Sequence, residues 1–200
     1  MNEPSSEPAS EPSEPASDPN AIDGRPLQEL LPTGTLRILV AAAMVGAVVW
    51  SFAKFGFTGH ALLGAVLTPA LVLLAAIDAR NKLLPNVIVF PTTLAVAVIL
   101  LASAPGSFLG HLAVALAAGG FFFAFAAFFP GSLGLGDAKL VFLLGLALGS
   151  KTLGALILAF FAIGAAAVYV VARRGTAARK ETIAFGPFLA LAGLVAFFLG

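Results

Sequence analysis

Two stretches of the chain set a lone aspartate against hydrocarbon: AAIDARNKLLPN, residues 75–86, and GSLGLGDAKL, residues 131–140. The chain holds ten acidic residues, and seven of them (Glu3, Glu7, Glu11, Glu14, Asp18, Asp23 and Glu29) precede residue 30. Only Asp78, Asp137 and Glu181 remain beyond it. A carboxylate at the edge of an apolar run is costly, so each of these acids needs a reason. Asp78 and Asp137 lie 59 residues apart, and only the fold can join them. Two carboxylates sharing a site do not both ionise readily: one keeps a proton and the other does not. That asymmetry suits peptide hydrolysis, in which the ionised Asp takes a proton from water and the protonated one donates to the carbonyl oxygen. Neither a nucleophilic side chain nor a metal is then required. Gly134 and Gly136 remove side chains just before Asp137, and Pro85 stops a helix from running straight on after Asp78. The plainer alternative makes both acids interfacial helix ends, with Asp137 a favourable acid at a helix N-terminus.

The elements that must position this pair are apolar throughout. The chain is 60% hydrophobic and 10% charged, with a mean hydropathy of +1.02. Soluble domains carry about 25% charged residues, so the composition indicates a membrane protein. Seven apolar runs follow the tail, at roughly 36–53, 60–77, 87–104, 107–129, 138–149, 152–172 and 183–199. Period-two polarity is absent, which excludes a membrane barrel and leaves an all-α, polytopic helical bundle of about seven membrane segments. With residue 36 starting on the cytoplasmic side, nine basic residues fall inside and only Lys54 and Lys151 fall outside. That asymmetry predicts a cytoplasmic N-terminus and puts both aspartates at the cytoplasmic face. The fifth segment is short: from Asp137 to Gly149 a helix rises about 18 Å, against a hydrocarbon core of about 30 Å. Either its outer end continues through Ser150–Thr152, or Asp137 starts below the membrane surface in a protein-lined, wet cavity; the second is the expectation.

Residues 2–19, NEPSSEPASEPSEPASDP, hold five prolines and no large apolar residue, and predict a disordered acidic tail over 1–35 ahead of a membrane domain over 36–200. The sequence has no cysteine, which excludes disulfides and thiolate metal sites. His60 and His111 lack acidic companions, so no metal site is expected. No basic stripe points to nucleic acid. Lys139 either biases the ionisation of the pair or snorkels to the cytoplasmic surface. The aromatic run FFFAFAAFF at 121–129 reads as lipid contact and core. Gly145 and Gly149 form a G-x-x-x-G pair suited to close helix packing. Glu181 sits in the hydrophilic loop RRGTAARKE.

In this order and in a membrane setting, IDARNKLLPN at 77–86, GLGDAKLVFLLGLALG at 134–149 and AFGPFLALAGL at 184–194 form a specific combination. The sequence resembles the type IV prepilin peptidases, the GxGD-type membrane aspartyl proteases of bacteria. The resemblance implies that Asp78 and Asp137 are the catalytic pair, with Gly134, Gly136, Lys139 and Pro85 as a supporting loop. It further implies cleavage of the short basic leader of prepilin or pseudopilin substrates at the cytoplasmic face of the inner membrane, without cofactor, metal or nucleic acid. Asn86 stands where an Asp is often found after the proline. Long members carry paired Cys-x-x-Cys motifs linked to N-methylation, so peptidase activity without methylation is expected. Two other readings compete: a small proton- or cation-coupled transporter using the aspartates as a relay, and an inactive structural relative.

Overall fold

The computed structural model describes residues 21–22, 25–26, 31–32, 34–129, 134–174 and 184–199. Most of the expected tail, and the loop containing Glu181, lie outside the described residues. Two short strands, β1 (Ala21–Ile22) and β2 (Arg25–Pro26), pair antiparallel. Everything else of regular structure is helical. The helices are α1 (Thr35–Phe55), α2 (Gly59–Asn81), α3 (Asn86–Ser103), α4 (Pro105–Phe128), α5 (Leu135–Leu148), α6 (Thr152–Arg174) and α7 (Gly186–Leu199). Among the described residues, five stretches are long and apolar enough to cross a membrane. One of them, Leu135–Arg173, runs through α5 and α6; α7, with 14 residues, falls below that length.

Local chemistry sets the helix ends. Thr58 caps α2, its hydroxyl accepting the Ala61 N–H at 3.2 Å, as N-cap threonines do. Lys82 stops the same helix by turning left-handed (φ 53°), its N–H returning to the Asp78 carbonyl at 2.8 Å. Pro85 then serves as the N-cap of α3. The apolar run that ends at residue 77 undershoots α2, which continues past Asp78 to Asn81. At the far end of α5, Gly149 takes φ +58°, a conformation that favours glycine, and starts the 3₁₀ turn Gly149–Lys151 into α6.

α5 is the hub of the bundle. It packs against α3, α4 and α7, and ten of its 14 residues are buried. A helix apolar on every side can face lipid or be surrounded by protein, and here its neighbours surround it. The Gly145–Gly149 pair performs the packing expected of it: a Cβ at Gly145 would lie 2.9 Å from the Ala115 backbone nitrogen, and one at Gly149 would press on the His111 ring. α2 packs against α1, α3 and α7. Helices α2 and α5 thus share α3 and α7 as neighbours, and those two hold the aspartate-bearing ends together. Leu67, Leu71 and Leu74 of α2 join Leu140, Val141 and Leu144 of α5 in one buried core. Of the aromatic run, Phe122 is buried while Phe121, Phe123, Phe125, Phe128 and Phe129 are exposed.

Candidate active site

Asp78 lies in the last turn of α2 and Asp137 in the first turn of α5; they are 5% and 9% exposed. The fold brings the two carboxylates within electrostatic reach of each other. Each also accepts one backbone hydrogen bond at a helix start. Asp137 is the third residue of α5, and its carboxylate accepts from Gly134, the N-cap, while its own N–H donates to the Gly134 carbonyl at 3.0 Å. This is the returning half of a capping box, with Asp as the reaching acid. Asp78 accepts from the Gly186 backbone, at the start of α7. Both carboxylates therefore face the positive end of a helix dipole.

The glycines make room for this arrangement. A Cβ at Gly134 would stand 3.1 Å from Asp137 Oδ2. One at Gly136 would stand 3.0 Å from Leu84 Cβ, so Gly136 admits the α2–α3 loop to the start of α5. Pro85 ends that loop, with its carbonyl accepting the Ile88 and Val89 N–H groups at 3.1 Å each. A Cβ at Gly186 would collide with the Asp78 carboxylate itself. Phe185 is buried and stacks on Phe122 with ring centroids 6.5 Å apart, which anchors the turn that presents Gly186. In the sequence this segment reads by its residues as a helix start or hinge, and only the family resemblance of AFGPFLALAGL sets it near the site. The signal was the FGP triplet, but nothing local reveals that Gly186 meets a residue 108 positions earlier.

Lys139 points elsewhere. Its Nζ donates to Asn86 Oδ1 at 2.8 Å and lies 5.5 Å from the Phe90 ring centroid, tying α5 to the start of α3. Among the described residues no cation pairs with either aspartate. Two buried carboxylates without a cation are most easily held with a proton between them, since a second full charge there would lack compensation. The described residues also contain no group of His, Cys, Asp or Glu suited to a metal ion. What the geometry offers is a carboxyl–carboxylate pair able to give and take a proton.

The model of the type IV leader peptidase family matches residues 65–171, which include both aspartates. The chain belongs to the type IV leader peptidase family. Two prepilin leader peptidase/N-methyltransferases of Burkholderia pseudomallei, from strains 1026b and K96243, are each 31% identical to it over 188 residues, covering 90% of this chain and 60% of their own. The protein of the same description from Pseudomonas aeruginosa PAO1 is 33% identical over 167 residues, covering 81% of this chain and 57% of its own. The chain thus spans about three-fifths of the length of these leader peptidase relatives. No solved structure matches it.

Proposed function

We propose that residues 36–200 form a membrane aspartyl endopeptidase that removes the short basic leader of type IV prepilin or pseudopilin substrates. The observation that carries this reading is the juxtaposition of two buried carboxylates, each with a backbone donor and neither with a cation among the described residues, in a member of the leader peptidase family. The ionised member of the pair takes a proton from water as the water oxygen attacks the scissile carbonyl carbon. The protonated member gives its proton to the carbonyl oxygen. Collapse of the resulting diol returns a proton to the departing amine, and the pair again shares one proton. Gly134 and Gly186 hold the two carboxylates; Gly136, Pro85 and the Lys139–Asn86 bond hold the loop beside them.

The reading includes about seven membrane segments, together with a cytoplasmic N-terminus and a site at the cytoplasmic face of the bacterial inner membrane, an orientation supported by the distribution of Lys and Arg. The short α5 supports a pair seated below the membrane surface: 14 residues rise about 21 Å, less than the bilayer core. The relatives are also described as N-methyltransferases; for these 200 residues, which contain no cysteine, we assign the peptidase alone.

The test uses the purified protein in vesicles with a prepilin carrying its basic leader, and reads the product masses. The expected result is one cut that releases the leader. If the prepilin stays intact while an enclosed pH dye reports Asp78-dependent proton flux, the pair is a relay and the peptidase reading fails.

A further inference from the structure

A groove of about 300 Å³ runs between α3, α4 and α5. Val89, Gly119 and Ala138 form its buried floor, and Phe90, Leu116 and Phe123 are exposed along its rims. We propose that this groove seats the first turns of an apolar substrate helix, the one that follows the scissile bond, and so selects what the aspartate pair cuts. The identity of the occupant rests on the peptidase reading; the groove itself does not.

Four observations support it. The first is position. Ala138 and Lys139 line the groove and directly follow Asp137, so its occupant lies beside the pair. From Leu116 to Phe123 the groove follows α4 for about 10 Å, two helical turns. The second is hydrogen bonding. Thr93 and Lys139 are the polar side chains of the lining, and both are engaged. Thr93 Oγ1 donates to the Val89 carbonyl at 2.7 Å, and Lys139 Nζ donates to Asn86. An extended peptide would leave its N–H and C=O groups unpaired there, whereas a helix satisfies its own. The third is shape. Gly119 lets α4 close on α5, since a Cβ there would stand 2.7 Å from Phe142 Cβ. At Gly120 a Cβ would meet nothing within 4 Å, which leaves the gap that lets another helix approach closely. The fourth is charge. A basic leader is costly in hydrocarbon, so the apolar chain that carries the scissile bond to a membrane-seated pair lies on the other side of the cut. Lys139 stands at the rim, 5.5 Å from the Phe90 ring centroid, and leader cations placed there would meet a like charge. The groove therefore takes the residues after the cut and leaves the leader on the far side of the pair.

The test compares the wild-type chain with Gly120→Leu, which fills the gap, and with Gly110→Leu, a control on α4 outside the groove whose added Cβ also meets nothing within 4 Å. Each is confirmed folded by gel filtration and thermal midpoint. Cleavage is measured on a prepilin with its apolar segment and on a peptide that ends just past the cut. Gly120→Leu should raise KM for the prepilin about tenfold or more, and its preference for prepilin over the short peptide should fall by a similar factor. Gly110→Leu should match the wild type. Unchanged KM and preference in Gly120→Leu would overturn the groove and leave the peptidase reading standing. A second measurement needs no cleavage. A photo-crosslinking phenylalanine analogue is placed at Phe123 in the Asp78→Asn/Asp137→Asn chain, in phosphatidylcholine vesicles with the prepilin. The adduct should map to the apolar residues after the scissile bond. Adducts to lipid alone, or to the leader, would overturn the proposal. If Gly120→Leu does not fold, or if the wild type leaves the prepilin uncut and the peptidase reading fails, the crosslink from Phe123 decides.

Discussion

Gly186→Ala isolates the positioning of one carboxylate from its chemistry. The added methyl would overlap Asp78 Oδ2 and stand 2.9 Å from its Cγ and 3.3 Å from its Cβ. Ordinary contact between carbon atoms is about 3.5–4.0 Å, so Asp78 must retreat by about 1 Å or rotate away from the Gly186 N–H. A displacement of about 1 Å at a reacting group costs about 10²-fold in rate. The fold should survive. Overpacking costs about 1–3 kcal/mol, and removing the glycine's freedom in the unfolded chain offsets about 0.4–1 kcal/mol of it. Two controls calibrate the effect. Gly193→Ala, further along α7, meets only the flexible end of Leu144, 2.6 Å from Cδ2, and should lower stability with cleavage within a few-fold of wild type. Gly164→Ala in α6 meets nothing within 4 Å and should be neutral or slightly stabilising. The assay is leader cleavage per folded molecule, with the thermal midpoint measured alongside. If Gly186→Ala cleaves as fast as Gly193→Ala at equal stability, Gly186 does not position Asp78 and the arrangement of the site is wrong.

Lys139→Ala should keep cleavage within about tenfold of wild type while lowering the thermal midpoint, because its ammonium serves Asn86 and not the aspartates; a loss of 10³-fold at unchanged stability would place the lysine in the chemistry. Reporter fusions after Lys82 and Gly175 should read cytoplasmic and one near Pro105 external, and the reverse pattern would put the aspartates on the other face. Substrate matured by this chain alone should keep a free N-terminal amine, which a methyl-sized mass increase made by the purified protein would contradict.

The helices were legible in the sequence because a membrane bundle writes its spans as hydropathy. The run at 87–104 became Asn86–Ser103, and that at 107–129 became Pro105–Phe128. The errors fall at the polar ends, where capping rather than hydropathy decides. Apolar reading began the fifth segment at residue 138, yet α5 starts at Leu135, since the Asp137 carboxylate reaching back to Gly134 stabilises a first turn that hydropathy scores poorly. Likewise α2 outlasts its apolar run to Asn81, where Lys82 turns left-handed at some cost in strain. Asp78 and Asp137 stood out because acids are scarce in apolar sequence. Gly186 did not: its contact is tertiary, set by α7 packing on both α2 and α5.

The central claim is that Asp78 and Asp137 act as one proton-sharing unit, and single and double Asn variants test it most directly. Asn keeps the shape and hydrogen-bonding capacity of Asp but cannot exchange the proton. With each protein shown to be inserted and folded, Asp78→Asn and Asp137→Asn should each abolish leader cleavage, and the double variant should be no slower than either single one, because residues acting as a unit lose their effect together. Cleavage near the wild-type rate by either single variant would contradict the account.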